Sequence, residues 1–236
     1  VDDDIEKLVV FGCGAMALEL CTYIDAVAST WKLTGKTLIV TDVVSSEFSR
    51  VSQLEQILGY SVARHDDVER VENFHLKKCV IGIGSAEAVR RVSEAVDTRG
   101  GNYFSVIHPS AIVSDHAEVH DGVIISPFCF VAPFSCVGRN SILNVRSTVG
   151  HDAVVGQGCV ISPHVNINGG ARIGRFCFLG AGVVIDPRVR LGDFCKVASG
   201  LTIRKDVQPG HMAFEGHTKT VRMFDSSTGA SLFRKD

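Results

Sequence analysis

The chain has 236 residues, 45% of them hydrophobic, and a formal net charge of −2. This suits a globular protein of one or two domains with a real core, and the unclustered basic residues exclude nucleic acid as an expected partner. No apolar run reaches the ~18 residues of a membrane span, which excludes membrane insertion, and the acidic start Val1-Asp2-Asp3-Asp4 is unlike a secretion signal, so a cytoplasmic location is expected. The chain starts on Val1 and not on a methionine, which leaves room for residues upstream.

Residues 1–105 alternate strand and helix patterns. Leu8-Val9-Val10-Phe11 is a short apolar strand that ends in Gly12-Cys13-Gly14, and a helical spacing follows through Met16, Leu20, Tyr23, Ile24 and Val27. A second strand, Thr37-Leu38-Ile39-Val40-Thr41, ends at Asp42. A helix is predicted from Val51 to Leu58, a strand over Cys79-Val80-Ile81-Gly82-Ile83 and a helix from Ala86 to Val96, before Arg99-Gly100-Gly101-Asn102 closes the unit. Such alternation predicts a small Rossmann-like parallel sheet. Gly12-x-Gly14-x-x-Ala17 falls where a strand gives way to a helix, the place of a phosphate-binding turn. Gly12, Gly14 and Ala15 are therefore candidate binding residues, as is Asp42 at the tip of the second strand, placed to accept hydrogen bonds from a ribose or base. A tight turn without a ligand has the same pattern. A unit of this size suits a nucleotide carrying a sugar better than a dinucleotide.

Residues 106–208 have a different period. From Ile107 to Ile203 every sixth residue is aliphatic, seventeen times without interruption. Four residues after each comes a smaller position, from Ala111 and Ala117 through Val123 and Cys129 to Leu201 and Val207. A period of six predicts a parallel β-helix in which like side chains stack from coil to coil. Cys129, Cys159, Cys177 and Cys195 all take the smaller position, and no Cys-x-x-Cys pair occurs, so the eight cysteines read as buried thiols in a reducing compartment. Residues 209–236 form a C-terminal tail, polar and Ser-Gly rich after Phe224, where partial disorder is expected.

Within the coil, His151 in Val149-Gly150-His151-Asp152 lies two residues past an inward position and so points outward, with an acid beside it. A neutral imidazole accepts a proton at pH 7, and a neighbouring carboxylate fixes its tautomer. A lone outward histidine is also ordinary surface. His164, His108, His116 and His120 are further candidates.

Several motifs occur in order: the Gly-rich βα unit, Ile107-His108-Pro109-Ser110-Ala111, Val149-Gly150-His151-Asp152, Ile161-Ser162-Pro163, Ile173-Gly174-x-x-Cys177-Phe178-Leu179-Gly180-Ala181-Gly182 and Lys205-Asp206-Val207. In this combination, from Leu8 to about Gly210, the chain resembles the bacterial sugar O/N-acyltransferases of the sialic acid O-acetyltransferase (NeuD) and PglD type. The resemblance implies an N-terminal nucleotide-sugar domain, a left-handed β-helix, a homotrimer and an acetyl-CoA site between adjacent subunits, with no metal. It makes His151 the general base and Asp152 its partner. Gly169 and Gly170 are expected near the thioester, with a backbone amide for the developing oxyanion. Gly180, Ala181, Gly182, Ala198, Ser199 and Gly200 are expected to let the CoA arm lie close, and Lys205 to meet its phosphates. Gly84 and Ser85 join the nucleotide-sugar residues.

The implied activity is acetyl-CoA-dependent N-acetylation of a nucleotide-linked amino sugar, a 4-amino sugar first, in surface polysaccharide or glycan biosynthesis. O-acetylation of a sialic-acid-type sugar and an inactive trimeric sugar-nucleotide scaffold are the alternatives. A γ-type carbonic anhydrase shares the β-helix but needs a close histidine pair plus a third histidine. The chain departs from the family pattern at Ala15-Met16, where a Gly-Gly-His run is usual, and at Val160, where a second histidine is usual. It departs again at Ser85-Ala86 and at Gly216-His217-Thr218-Lys219.

Overall fold

The computed structural model describes residues 5–214 and the backbone of 220–222. It divides into two compact units, Val1–Pro109 and Ser110–Asp236. Gly216-His217-Thr218-Lys219 and the tail after Phe224 lie outside the described residues.

The first unit runs β1 (Ile5–Phe11), α1 (Ala15–Lys32), β2 (Thr37–Val44), α2 (Val51–Leu58), β3 (Ala63–His65), β4 (Lys78–Ile81), α3 (Ala86–Thr98) and β5 (Asn102–Tyr103), followed by a short strand at Val106–Ile107. The sheet order is β3-β2-β1-β4-β5, with every pair parallel. β1 is central, and Leu8, Val9 and Val10 are buried on both faces, which is why it reads as an unbroken apolar run. The chain leaves β1 to one side for β2 and β3 and to the other for β4 and β5. In such sheets ligands bind where the order switches, beyond the carboxyl ends of β1 and its neighbours. α1 packs Ala17, Leu20, Cys21, Ile24 and Val27 inward, and Ala17 and Leu20 meet Gly82: a Cβ on Gly82 would lie 2.9 Å from the Leu20 side chain.

The second unit is a β-helix of two-residue strands at the predicted spacing. One sheet stacks Ile112–Val113, Phe130–Val131, Thr148–Val149, Asn166–Ile167, Val184–Ile185 and Thr202–Ile203, all parallel. A second stacks Glu118–Val119 through Arg190–Leu191, and a third carries Ile124–Ile125 through Lys196–Val197. The second residue of each strand turns inward. Val131, Val137, Leu143, Val149 and Val155 are fully buried and continue one core up the axis. His211–Ala213 adds to the third sheet, parallel to Lys196–Val197 and antiparallel to Thr220–Arg222.

Two features of the coil go beyond its period. Between Gly122 and Gly200 every sixth residue is left-handed, with φ from +54 to +75°, and nine of these fourteen corners are not glycine. Phe128, Phe134, Phe176 and Phe194 are among them, a conformation uncommon for bulky residues. Corner N–H groups are bonded to the coil below, as in Gly170 N–H to His151 O (2.8 Å) and Phe194 N–H to Arg175 O (2.8 Å), so the stack holds the strained backbone. The small inward position also does more than fill space. Ser141 Oγ–H donates to Gly156 O (2.7 Å), Cys159 Sγ–H to Gly174 O (3.0 Å), Cys177 Sγ–H to Gly192 O (3.2 Å) and Cys195 Sγ–H to Gln208 O (3.1 Å). These cysteines are buried donors as well as small apolar fillers, and all eight cysteines are unpaired.

Candidate functional site

The corner between the first and second sheets carries the outward histidine. Gly150 brings the chain down tightly there, since a Cβ on it would lie 2.7 Å from the Gly169 amide nitrogen one coil on. His151 then projects outward and Asp152 takes the left-handed corner at φ +58°, a conformation an aspartate tolerates better than most residues. Asp152 Oδ2 stands 2.7 Å from His151 Nδ1. With that nitrogen tied to a carboxylate, the other ring nitrogen, Nε2, carries the free lone pair. Both side chains are open to solvent, 73% and 64% exposed. The imidazole lies flat over Gly169, where a Cβ would come within 2.5 Å of Nε2. Gly169 is thus the floor on which the ring rests, and Gly169→Ala should swing the imidazole away. The expected result is a loss of turnover of at least tenfold with an unchanged melting temperature, read from kinetics and a thermal melt on one preparation.

The same corner column continues through Gly170, Arg188 and Lys205. Gly170 spends its N–H on the His151 carbonyl oxygen, so of the two glycine amides expected near an oxyanion it is that of Gly169 which is left. Arg188 packs over Gly170, its Cγ lying 3.3 Å from where a Gly170 Cβ would be. Sequence reasoning passed over Arg188. The signal was an eighteen-residue column, Asp152, Gly170 and Arg188, that becomes visible once corners and not strands are aligned.

The other glycine-rich segments lie at a different corner, between the third and first sheets. Gly182 (φ +70°) and Gly200 (φ +75°) stack there, with Ala181 and Ser199 beside them and Ala198 one residue before, and a Cβ on Gly200 would meet nothing within 4 Å. They leave an open stripe along the coil. Gly180 differs: its Cβ would lie 2.6 Å from the Ser199 amide nitrogen, so that glycine serves the coil stacking itself. A single chain therefore gathers His151, Asp152, Gly169, Gly170 and Lys205 on one corner column. It keeps Gly180, Ala181, Gly182, Ala198, Ser199 and Gly200 on another.

In the first unit a cavity of about 620 Å³ opens at the carboxyl end of β1, lined by Gly12, Gly14, Ala15, Met16 and Gly84 together with Ser45, Ser46 and Arg50. Gly12 has φ +109°, and a Cβ there would lie 2.8 Å from the Gly82 carbonyl oxygen, so the turn admits no side chain. A Gly14 Cβ would meet nothing within 4 Å, and this residue caps α1, where helix amides face the cavity. A neighbouring cavity of about 630 Å³ shares Gly12, Ser45 and Ser46 and reaches Asp66, Asp67 and Arg91. Ser85 does not line either cavity; it caps α3 by accepting from the Ala88 amide (3.4 Å).

Asp42 requires a correction. β2 runs two residues past it to Val44, so Asp42 is inside the sheet and only 3% exposed. Lys77 Nζ donates to it at 2.6 Å, His65 Nε2 lies at 2.9 Å and Thr41 Oγ1 donates at 2.6 Å. The carboxylate is consumed by these partners and does not face the cavity. The strand tip belongs to Ser45 and Ser46, which sequence reasoning missed because it ended the strand at the first charged residue.

No family model matches the chain. It is 34% identical over 79 residues to the GDP-perosamine N-acetyltransferase of Escherichia coli O157:H7, a stretch that spans 33% of this chain and only 36% of that relative. Two solved structures match along most of their length. PerB from Caulobacter crescentus, in complex with CoA and GDP-perosamine, is 23% identical with a TM-score of 0.73, covering 87% of this chain and 92% of that one. The acetyltransferase domain of PglB from Neisseria gonorrhoeae, in complex with acetyl coenzyme A, is 22% identical with a TM-score of 0.73, covering 88% and 95%. The fold is theirs. A Rossmann-like parallel sheet followed by a left-handed hexapeptide β-helix is the architecture expected from the sequence.

The other candidate histidines lie elsewhere. His108 packs its ring edge-on to Tyr23 (5.8 Å), and burial holds its basicity below the ordinary histidine value. His116 stacks on Phe134, and His164 takes a left-handed corner. Val160 is buried. Among the described residues, the side chains close enough to share a metal are Glu118, His120 and Cys136, a group with one histidine where a carbonic anhydrase site has three. No helix among the described residues is long and apolar enough to cross a membrane.

Proposed function

We propose that the chain transfers the acetyl group of acetyl-CoA to the amine of a nucleotide-linked amino sugar, in surface polysaccharide or glycan biosynthesis. The observation that carries this reading is the His151–Asp152 pair, 2.7 Å apart, with Nε2 free over Gly169. A sugar ammonium must lose a proton before its nitrogen attacks the thioester carbonyl. His151 Nε2 accepts that proton, and Asp152 holds Nδ1–H and stabilises the imidazolium as it forms. The Gly169 amide, with no bond to the coil among the described residues, is the donor proposed for the oxyanion of the tetrahedral intermediate. As that intermediate collapses, the nitrogen gives up its second proton to the departing CoA sulfur, leaving an acetamide on the sugar and free CoA thiol, and His151 releases the first proton to solvent.

The acetyl-CoA arm fits the open stripe at Gly182 and Gly200, and Lys205 and Arg188 are the cations for its phosphates. Because that stripe and the His151 corner lie on different corners of one chain, the proposed site joins two copies of a homotrimer. The nucleotide sugar fits the cavity beside Gly12 and Gly14, with its phosphates at the α1 amides. The E. coli and Caulobacter relatives favour N-transfer over O-transfer and a GDP-linked acceptor. The unpaired cysteines support a cytoplasmic location. The test is acetyl-CoA-dependent release of free thiol against GDP-, UDP- and dTDP-linked 4-amino sugars, with CMP-sialic acid and free sialic acid included. Release with an amino sugar is expected; release with sialic acid alone would establish the O-transferase, and silence with every acceptor would favour the inactive scaffold.

A further inference from the structure

We propose that Glu118, His120 and Cys136 form a binding site for a zinc-like divalent cation on the outer face of the β-helix, independent of the transferase reading. The strand Glu118–Val119 pairs in register with Cys136–Val137, which sets Cys136 directly opposite Glu118. His120, two residues after Glu118, points to the same side by strand alternation. His120 Nε2 is 3.1 Å from Glu118 Oε1, and one donor atom from each of the three residues lies within 4.8 Å of the others.

The donor set is what singles this group out. Thiolate, imidazole and carboxylate are the three side-chain ligands zinc accepts, at about 2.0–2.3 Å, and donor atoms within 4.8 Å of one another can converge on one ion. The other coil cysteines, Cys129, Cys159, Cys177 and Cys195, are buried in the core, whereas Cys136 is half-buried on the outside. Val154, its partner in the next coil, borders it with an apolar side chain. Burial first, and then the Glu118 carboxylate, hold the Cys136 thiol above its ordinary range. A cation bound there takes the thiolate, the thiol proton passes to solvent, and the added positive charge offsets the nearby carboxylate. Three ligands leave a fourth tetrahedral position open to water.

The test uses the full chain, free of any histidine tag, titrated with cobalt(II) as a spectroscopic stand-in for zinc. A thiolate-to-cobalt charge-transfer band saturating at one equivalent, and displaced by zinc, is expected. Cys136→Ser should abolish the band, and His120→Ala should weaken zinc binding at least tenfold in equilibrium dialysis, both with unchanged circular dichroism. Absence of the band in the wild-type chain, its survival in Cys136→Ser, or zinc binding equal in wild type and His120→Ala would each overturn the assignment.

Discussion

His151→Ala is expected to lower kcat by ~10²–10⁴-fold, the range a positioned general base contributes. The dissociation constant for acetyl-CoA should stay within a few-fold, because the stripe at Gly182 and Gly200 and the cations Lys205 and Arg188 proposed to hold CoA are all left in place. Stability should also hold: His151 is an exposed corner residue, and surface substitutions of that kind stay within about 0.5 kcal/mol. The combination is diagnostic. A folded protein that binds acetyl-CoA and does not turn over isolates the proton-transfer step. Asp152→Asn should give a smaller loss in the same direction, since the imidazole keeps its place over Gly169 but loses the carboxylate that stabilises its charged form. Steady-state kinetics with a responding acceptor, alongside calorimetric titration of acetyl-CoA, checks both. Unchanged turnover in His151→Ala would remove it as the base.

Lys77→Met is expected to destabilise the first unit by about 3–5 kcal/mol, the cost of leaving one member of a buried ion pair uncompensated. Burial alone pushes the Asp42 carboxyl up. The hydrogen bonds from Lys77, Thr41 and His65, with the Lys77 charge, overcome this and hold it below the ordinary carboxylate range. A group depressed in the folded state contributes stability above its unfolded value, ~3.9, and that contribution is lost as pH falls through the folded value. Without Lys77 the carboxyl moves up, so acid unfolding should begin at higher pH. Trp31, the single tryptophan, lies at the end of α1 against Phe104 (ring centroids 5.5 Å) and reports on this unit alone. Urea unfolding followed by its fluorescence should show the loss, and Asp42→Asn with Lys77→Met should recover most of it, since no buried charge then remains. An unchanged midpoint in the single variant would contradict the buried pair.

Asp42 also shows where a sequence stops being readable. A charged residue after five strand-forming ones looks like an end, and the partner that makes it tolerable inside the sheet, Lys77, is thirty-five residues away. β3 was invisible for a related reason: Ala63-Arg64-His65 is a three-residue edge strand with no large apolar or β-branched residue, and nothing local marks it. The coil is the opposite case. Each of its residues packs on the residue eighteen positions away, so one physical environment repeats and stamps one residue type at every sixth place. Even there the corners were silent, because Phe128, Arg146 and Phe176 adopt a backbone that glycine and asparagine usually announce. The His151–Asp152 pair was legible because its members are adjacent in sequence. Gly169 as the floor under the imidazole became clear only with the coils stacked.

The most direct test of the central claim is to incubate the chain with acetyl-CoA labelled with carbon-13 in the acetyl group and a GDP-linked 4-amino sugar, and to follow the label by NMR. Appearance of a sugar acetamide, one per thiol released and absent with His151→Ala, is the predicted result. Thiol release with the label found only in free acetate, or acetamide formed equally well by His151→Ala, would contradict it.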